Sequence, residues 1–311
     1  MTTIDVPAAG SLPALRSPAR WNRALILLTG AAAVLALIAA GGILFDDRIL
    51  TGVPIWLKPF KFAVSFAVYG WTLAWMLAVL PRRSRPAEWA GVVIFSVAVI
   101  ELAIIVIQVV RGTTSHYNVS TPLNATLWSA MGTSIMVLFF AHVVIAVAAL
   151  RQRIPDRAAS WAIRLGLLIA LLGMGLAFLM TSQGGTEAMV GAHSVGVPDG
   201  GPGMPLTGWS TTGGDLRIGH FVGLHALQAL PLLAFALRRW GVRLTERARA
   251  GLIVVGGSAY AVLVLLLTWQ ALRAQPLLKP DALTLAAFFG LMAATAASAA
   301  LVMRAGRKKV S

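Results

Sequence analysis

The chain has 311 residues, 58% hydrophobic and 12% charged, with a mean hydropathy of +0.80. That is too apolar for a water-facing surface and indicates a membrane protein. So much apolar surface with no cysteine excludes intrinsic disorder, a disulfide-stapled secreted fold, thiolate zinc sites, iron–sulfur clusters and covalent c-type haem. The net charge of +15 does not point to nucleic acid: basic residues crowd the cytoplasmic loops of bilayer-spanning chains, and no basic helix interleaved with aromatics lies outside the apolar runs.

Apolar runs long enough to cross a hydrocarbon core, which takes about 20 helical residues, fall near 24–45, 54–80, 88–110, 127–150, 159–181, 216–237, 250–272 and 282–303. The runs are continuous rather than alternating, so they predict an all-α integral membrane protein with eight transmembrane helices, not a strand barrel. The expected organisation is a cytoplasmic tail over 1–21, a first four-helix unit over 22–153, a second over 154–303 with a Gly-rich outer loop at 182–215, and a basic cytoplasmic tail over 304–311. The first run is too long for a signal-peptide core and is expected to be retained.

Nineteen of the 26 basic residues fall on one side of these runs, including Arg16, Arg20, Arg82, Arg83, Arg151, Arg238, Arg307, Lys308 and Lys309. The other seven are Arg48, Lys58, Lys61, Arg111, Arg217, Arg273 and Lys279. This asymmetry predicts cytoplasmic termini.

In chain order, the second run opens with LKPFKF, which carries Lys58 and Lys61. The third carries Glu101 ten residues before Arg111, about 15 Å below the outer boundary at 1.5 Å per residue. A lone charge at that depth costs about 2.5–3.5 kcal/mol, so Glu101 is expected to be protonated or paired. Lys61, on the antiparallel neighbour, is the expected partner, either as a register-fixing ion pair or in a proton relay. Gln108 and Arg111 close this run, and the connection RGTTSHYNVSTPLN adds His116 and Tyr117. His142 lies deep in the fourth run. The loop after the fifth contains His193, Asp199 and Asp215, the last in the position of a helix N-cap.

The sixth run, from Leu216, places Arg217, His220 and Gln228 near one face, with His225 about 140° round from His220. The two histidines therefore do not form an i, i+4 metal pair. His225 falls about 13 Å in, near the depth of Glu101, so these two are the proton-relay candidates. Gln270 and Arg273 close the seventh run.

Matches between the halves recur in order: LKPFKF with LRIGHF, Gln108-Val-Val-Arg111 with Gln270-Ala-Leu-Arg273, and Pro122, Thr126, Leu127 with Pro280, Thr284, Leu285. Together they predict a four-plus-four tandem repeat whose pseudo-two-fold axis runs along the membrane normal. The strings LKPFKF, RGTTSHYN and GGDLRIGHFVGLHALQ resemble those of a group of bacterial multi-pass membrane proteins, a resemblance that implies architecture and location but no chemistry. Eight helices in two halves with cytoplasmic ends are also similar in architecture to the haem A synthases. That family's paired ligating histidines are not matched here, since the second and eighth runs hold none.

The expected site is an outward-facing pocket for an anionic small molecule or lipid head group, built from Lys58, Lys61, Gln108, Arg111, His116, Arg217, His220, Gln270 and Arg273, with Glu101 and His225 titrating as the ligand moves. The surrounding partner is the lipid bilayer. A haem- or quinone-dependent oxidoreductase or transferase using His142, His220 or His225, and a structural or accessory subunit, are the alternatives. No histidine spacing converges as a metal hydrolase requires.

Overall fold

The computed structural model describes residues 21–241 and 243–306. Most of the two expected tails, with Arg16, Arg20, Arg307, Lys308 and Lys309, lies outside the described residues. The chain is mostly helical. The helices are α1 (Arg23–Phe45), α2 (Leu57–Val79), α3 (Arg85–Val110), α4 (Pro122–Leu150), α5 (Arg157–Leu176), α6 (Phe178–Thr181), α7 (Leu216–Leu224), α8 (Ala226–Trp240), α9 (Glu246–Leu272) and α10 (Ala282–Ala305). Among the described residues, seven helices are long and apolar enough to cross a membrane, and eight spans result if α7 and α8 count as one. The architecture is all-α and multi-pass.

Side chains next to the helices set their starts. Asn22, Thr121, Asp156, Asp215, Thr245 and Asp281 each accept a backbone N–H from the first turn of the helix that follows, satisfying donors that lipid cannot. Pro122 then begins α4 five residues earlier than hydropathy suggested, where a missing N–H costs nothing.

The sixth run is not one helix. It bends by 45° at His225, between α7 and α8. Pro231 has no N–H for the carbonyl of Leu227 and crowds it, which weakens the first turns of α8. Tyr260 Oη, from α9, donates to Val222 O at 2.7 Å, covering a carbonyl in the last turn of α7.

Two short antiparallel ladders order the loops. β1 (Ile49–Leu50) pairs with β2 (Val53–Pro54) through Thr51 and Gly52, at φ 50° and 76°, the left-handed pair of a tight hairpin turn. β3 (Ser194–Val195) pairs with β4 (Gly214–Asp215), fastening the loop between α6 and α7 to the start of α7. The same loop is tied to the α3–α4 connection by Val119 N–H to Ala188 O and Val190 N–H to Tyr117 O, both 2.9 Å. It is a folded cap.

In the first half α1 packs on α2 and α3, α2 on α3, and α3 on α4; in the second, α5 packs on α7, α8 and α9, both α7 and α8 on α9, and α9 on α10. Contacts of α4 with α5 and of α2 with α8 join the halves. The only buried residue of α10 is Thr284. Glycine permits a close approach of α5 to α7: a Cβ on Gly173 of α5 would stand 2.8 Å from the backbone of Gly223 in α7. Gly173→Ala should therefore lower thermal stability in detergent by about 1–3 kcal/mol through overpacking. Gly175→Ala, with nothing within 4 Å, should leave it unchanged, and a fluorescence melt of both variants checks the contrast.

Candidate functional site

A cavity of about 490 Å³ lies where the halves meet, lined by α2, α3, α4, α5, α7 and the cap. Neither α9 nor α10 contributes to it. Of the residues expected at the site, Lys58, Lys61, His116, Arg217 and His220 line this cavity together with Glu101 and His225. Gln108, Arg111, Gln270, Arg273 and His142 do not.

The helix-end pairs are clamps for turns. Gln108 Nε2 donates to Thr114 O at 3.2 Å and to Asn124 Oδ1 at 3.0 Å, while Arg111 donates to Gln108 Oε1 at 2.6 Å and to Asn124 Oδ1 at 2.8 Å. Gln270 Nε2 donates to Pro276 O at 2.8 Å, and Arg273 pairs with Asp281 at 2.6 Å and lies over Trp269 at 4.6 Å. Each pair holds the turn into the next helix, so the expectation that they face a common ligand is corrected. His142 is also occupied: Nε2 lies 3.3 Å from Leu167 O and Nδ1 2.8 Å from Tyr69 Oη. With both ring nitrogens engaged, His142 does not fit as a haem ligand.

The expected Lys61–Glu101 pair is not formed. Lys61 Nζ instead donates to Thr207 O of the cap at 2.8 Å. Glu101, buried at 1% exposure, accepts from Ser134 Oγ at 2.6 Å through Oε1, and its Oε2 has no partner among the described residues. The lysine whose charge acts on Glu101 is Lys58, three residues earlier in α2; the depth argument took no account of cap carbonyls reaching down to Lys61. Glu101 and His225 share the cavity without a mutual hydrogen bond; His225 Nδ1 lies 3.2 Å from Gln228 Oε1.

Arg217 is held by Asp215 Oδ2 at 2.6 Å and by Gly208 O at 2.7 Å. Asp215 is the expected N-cap and also the counter-ion. Lys58 differs from both neighbours, having no hydrogen-bond partner among the described residues while lining the cavity.

Aromatic rings form a collar beside these cations. Tyr117, at φ 60°, sets its ring 4.7 Å from Trp128 and 5.1 Å from His193, and His116 lies 5.4 Å from Phe62. A left-handed backbone is uncommon for so bulky a residue. Beyond the collar the wall is largely apolar, with Ile105, Met131, Leu138, Met174 and Phe221, interrupted by Tyr69, Glu101, His225 and Gln228. His220 Nδ1 lies 2.7 Å from Gly173 O, and His193 Nδ1 2.7 Å from Asp199 Oδ2. Sequence reading took His193 and Asp199 as separate loop residues. Their one signal was a six-residue spacing in a stretch rich in Gly and Pro.

Burial, then the positive charge of Lys58, His193 and His220, holds His116 well below the ordinary histidine value. Burial also lowers His193, against the pull of Asp199. Burial opposes ionisation of Asp199, but His193 and two backbone N–H groups prevail and hold it below the usual carboxylate range. Among the described residues no three His, Cys, Asp or Glu side chains gather as a metal site. The chain matches no protein-family model, no curated protein and no solved structure in comparison.

The two lysines should separate experimentally. Lys61→Ala removes a donor to the cap and should speed limited proteolysis within 182–213, whereas Lys58→Ala should leave the cleavage rate near that of the parent chain. A second test is pH. A histidine held neutral in the fold gains its proton only on unfolding, so its stabilising contribution is full above the unfolded value of 6.5 and declines as pH falls below it. Asp199 acts in the same direction but only near and below its ordinary 3.8. The melting temperature should fall between about pH 7.5 and 5, and His116→Gln should flatten that decline.

Proposed function

We propose that this protein binds an anionic small molecule or lipid head group in the cavity between its halves and carries it within the membrane. Lys58 is the observation that carries this reading: it lines a largely apolar cavity without a hydrogen bond among the described residues, with only a Coulombic pull from Glu101 and Asp199, while Lys61 and Arg217 already have acceptors in the cap. A cation so placed gains far more from an anion than one at the surface. The aromatic collar and the apolar wall beneath it fit an organic anion or the upper part of a lipid better than a small inorganic ion.

The broken span supports movement of the ligand as well as binding, since helices interrupted beside a site near the membrane midplane are a recurring device of transporters. The parallel packing order of the halves, with α1 to α4 answered by α5, the α7–α8 pair, α9 and α10, supports the four-plus-four duplication, as do the matching Gln-x-x-Arg clamps. On the orientation that the basic residues favour, both termini are cytoplasmic, the membrane is the bacterial inner membrane, and the cavity faces outward.

Lys58→Ala should weaken binding of an anionic lipid by tenfold or more, the worth of one desolvated charge-assisted hydrogen bond, with little effect on a zwitterionic lipid. Native mass spectrometry of the parent chain and the variant, released from micelles doped with phosphatidylglycerol or phosphatidylcholine, checks this. Equal retention of both lipids by both proteins would refute the reading.

A further inference from the structure

The cap sets a second feature against the same cavity. Asp199 Oδ2 lies 2.7 Å from His193 Nδ1, and the carboxylate also accepts the backbone N–H groups of His193 at 2.9 Å and Ser194 at 2.8 Å. A carboxylate in this role only accepts, so Nδ1 carries the ring proton and Nε2 is left as the basic atom. Nε2 has no hydrogen bond among the described residues. His193 and Asp199 both line the cavity, and the imidazole is 22% exposed there.

The groups around the ring come from three sides. Lys58 faces it from α2, His116 and Tyr117 from the α3–α4 connection, and Arg217 and His220 from α7, with Asp199 on its own loop. Burial first, and then the charges of Arg217 and Lys58, outweigh the pull of Asp199 and lower the ring's affinity for a proton. An anion seated at Lys58 adds charge of the opposite sign at short range, in a medium that screens poorly. The imidazolium form then gains on two sides, from Asp199 at Nδ1 and from the anion at Nε2.

We propose that His193, oriented by Asp199, takes up a proton when an oxyanion binds at Lys58, so that the cavity holds anion and proton together. This rests on the anion-binding reading above and adds to it the group that titrates. The proton passes from solvent to Nε2, and the resulting N–H donates to an oxygen of the anion. No covalent bond is made or broken. Because linkage is reciprocal, acid tightens anion binding to the same extent that the anion raises proton affinity. Glu101 and His225, the relay candidates from sequence, are not needed for this step.

Isothermal titration of the full-length protein in dodecyl maltoside tests the proposal. Two probes that do not titrate near neutral pH are used, glycerophosphoglycerol and dihexanoyl phosphatidylglycerol, each in two buffers of different ionisation enthalpy at about pH 7.5. The first presents the head group alone and the second the same group with acyl chains, so binding of both marks a soluble anion as sufficient and binding of the second alone marks a lipid. In either case the parent chain should take up a substantial fraction of one proton per anion bound, and its affinity should rise by up to about tenfold per unit fall in pH. His193→Gln should bind with no proton uptake and a flat pH dependence, and Asp199→Asn should show reduced uptake. Asp199→Asn also keeps the imidazole and guards against misfolding of the glutamine variant. Anion binding by the parent chain without proton uptake, or uptake retained in His193→Gln, would overturn the proposal while leaving the anion site standing. Failure of both probes to bind the parent chain would remove the anion site and this inference with it.

Discussion

Inside hydrocarbon no water completes a broken hydrogen bond, so every polar group that enters must find an oxygen or nitrogen from the chain itself. That constraint explains why the loop between α6 and α7 is folded. Two successive carbonyls, Thr207 O and Gly208 O, receive Lys61 from α2 and Arg217 from α7, and a left-handed Gly208 at φ 66° lets the strand turn between them. The cap thus supplies acceptors to cations on two helices from different halves. Asp215 completes the arrangement by capping α7 and pairing with Arg217 through one fully buried carboxylate.

Against that background the groups left incomplete become informative. Glu101 Oε2 is buried without a hydrogen-bond partner among the described residues, and Lys58 lines the cavity without one either, the two joined only by a Coulombic attraction, although the cap supplies acceptors to its neighbours. A buried cation without a hydrogen-bonded partner is costly. A ligand that supplied the missing acceptor would recover that cost, which is why the proposed function rests on Lys58 rather than on the overall positive charge of the site.

Much of the fold was legible because its physics is local. Hydropathy located the spans, and Asp215 before the sixth marked a cap that the structure uses. The bend at His225 was not legible, since its nearest breaker, Pro231, lies six residues further on and leaves the apolar pattern intact. The site was legible in part. Lys58, Lys61, Arg217, His116 and His220 stood out as cations and histidines on the outer, charge-depleted side, and they do meet. Gln108, Arg111, Gln270 and Arg273 stood out by the same criterion and do not, because a cation at a helix end serves equally well to hold the following turn. Only the identity of its acceptors distinguishes the two roles, and those acceptors lie in turns with no periodic pattern. His193 and Asp199 stood out singly, but their pairing was not legible for the same reason: it is made by backbone turns of the cap.

The proposed duplication also accounts for where the cavity is absent. Both halves retain the Gln-x-x-Arg clamp, but the turn that it holds differs. In the first half the clamp secures Thr114 O and Asn124, and the connection between them carries His116 and Tyr117 inward to the collar. In the second it secures Pro276 O and Asp281, and the intervening residues contribute nothing to the cavity lining. Two similar units with one elaborated connection yield a single site at their junction rather than two equivalent ones. The cap falls on that junction because it links α6 to α7 within the second half while Thr207 O reaches Lys61 of the first, so one asymmetric insertion closes the cavity and brings His193 and Asp199 to the residues that both halves supply.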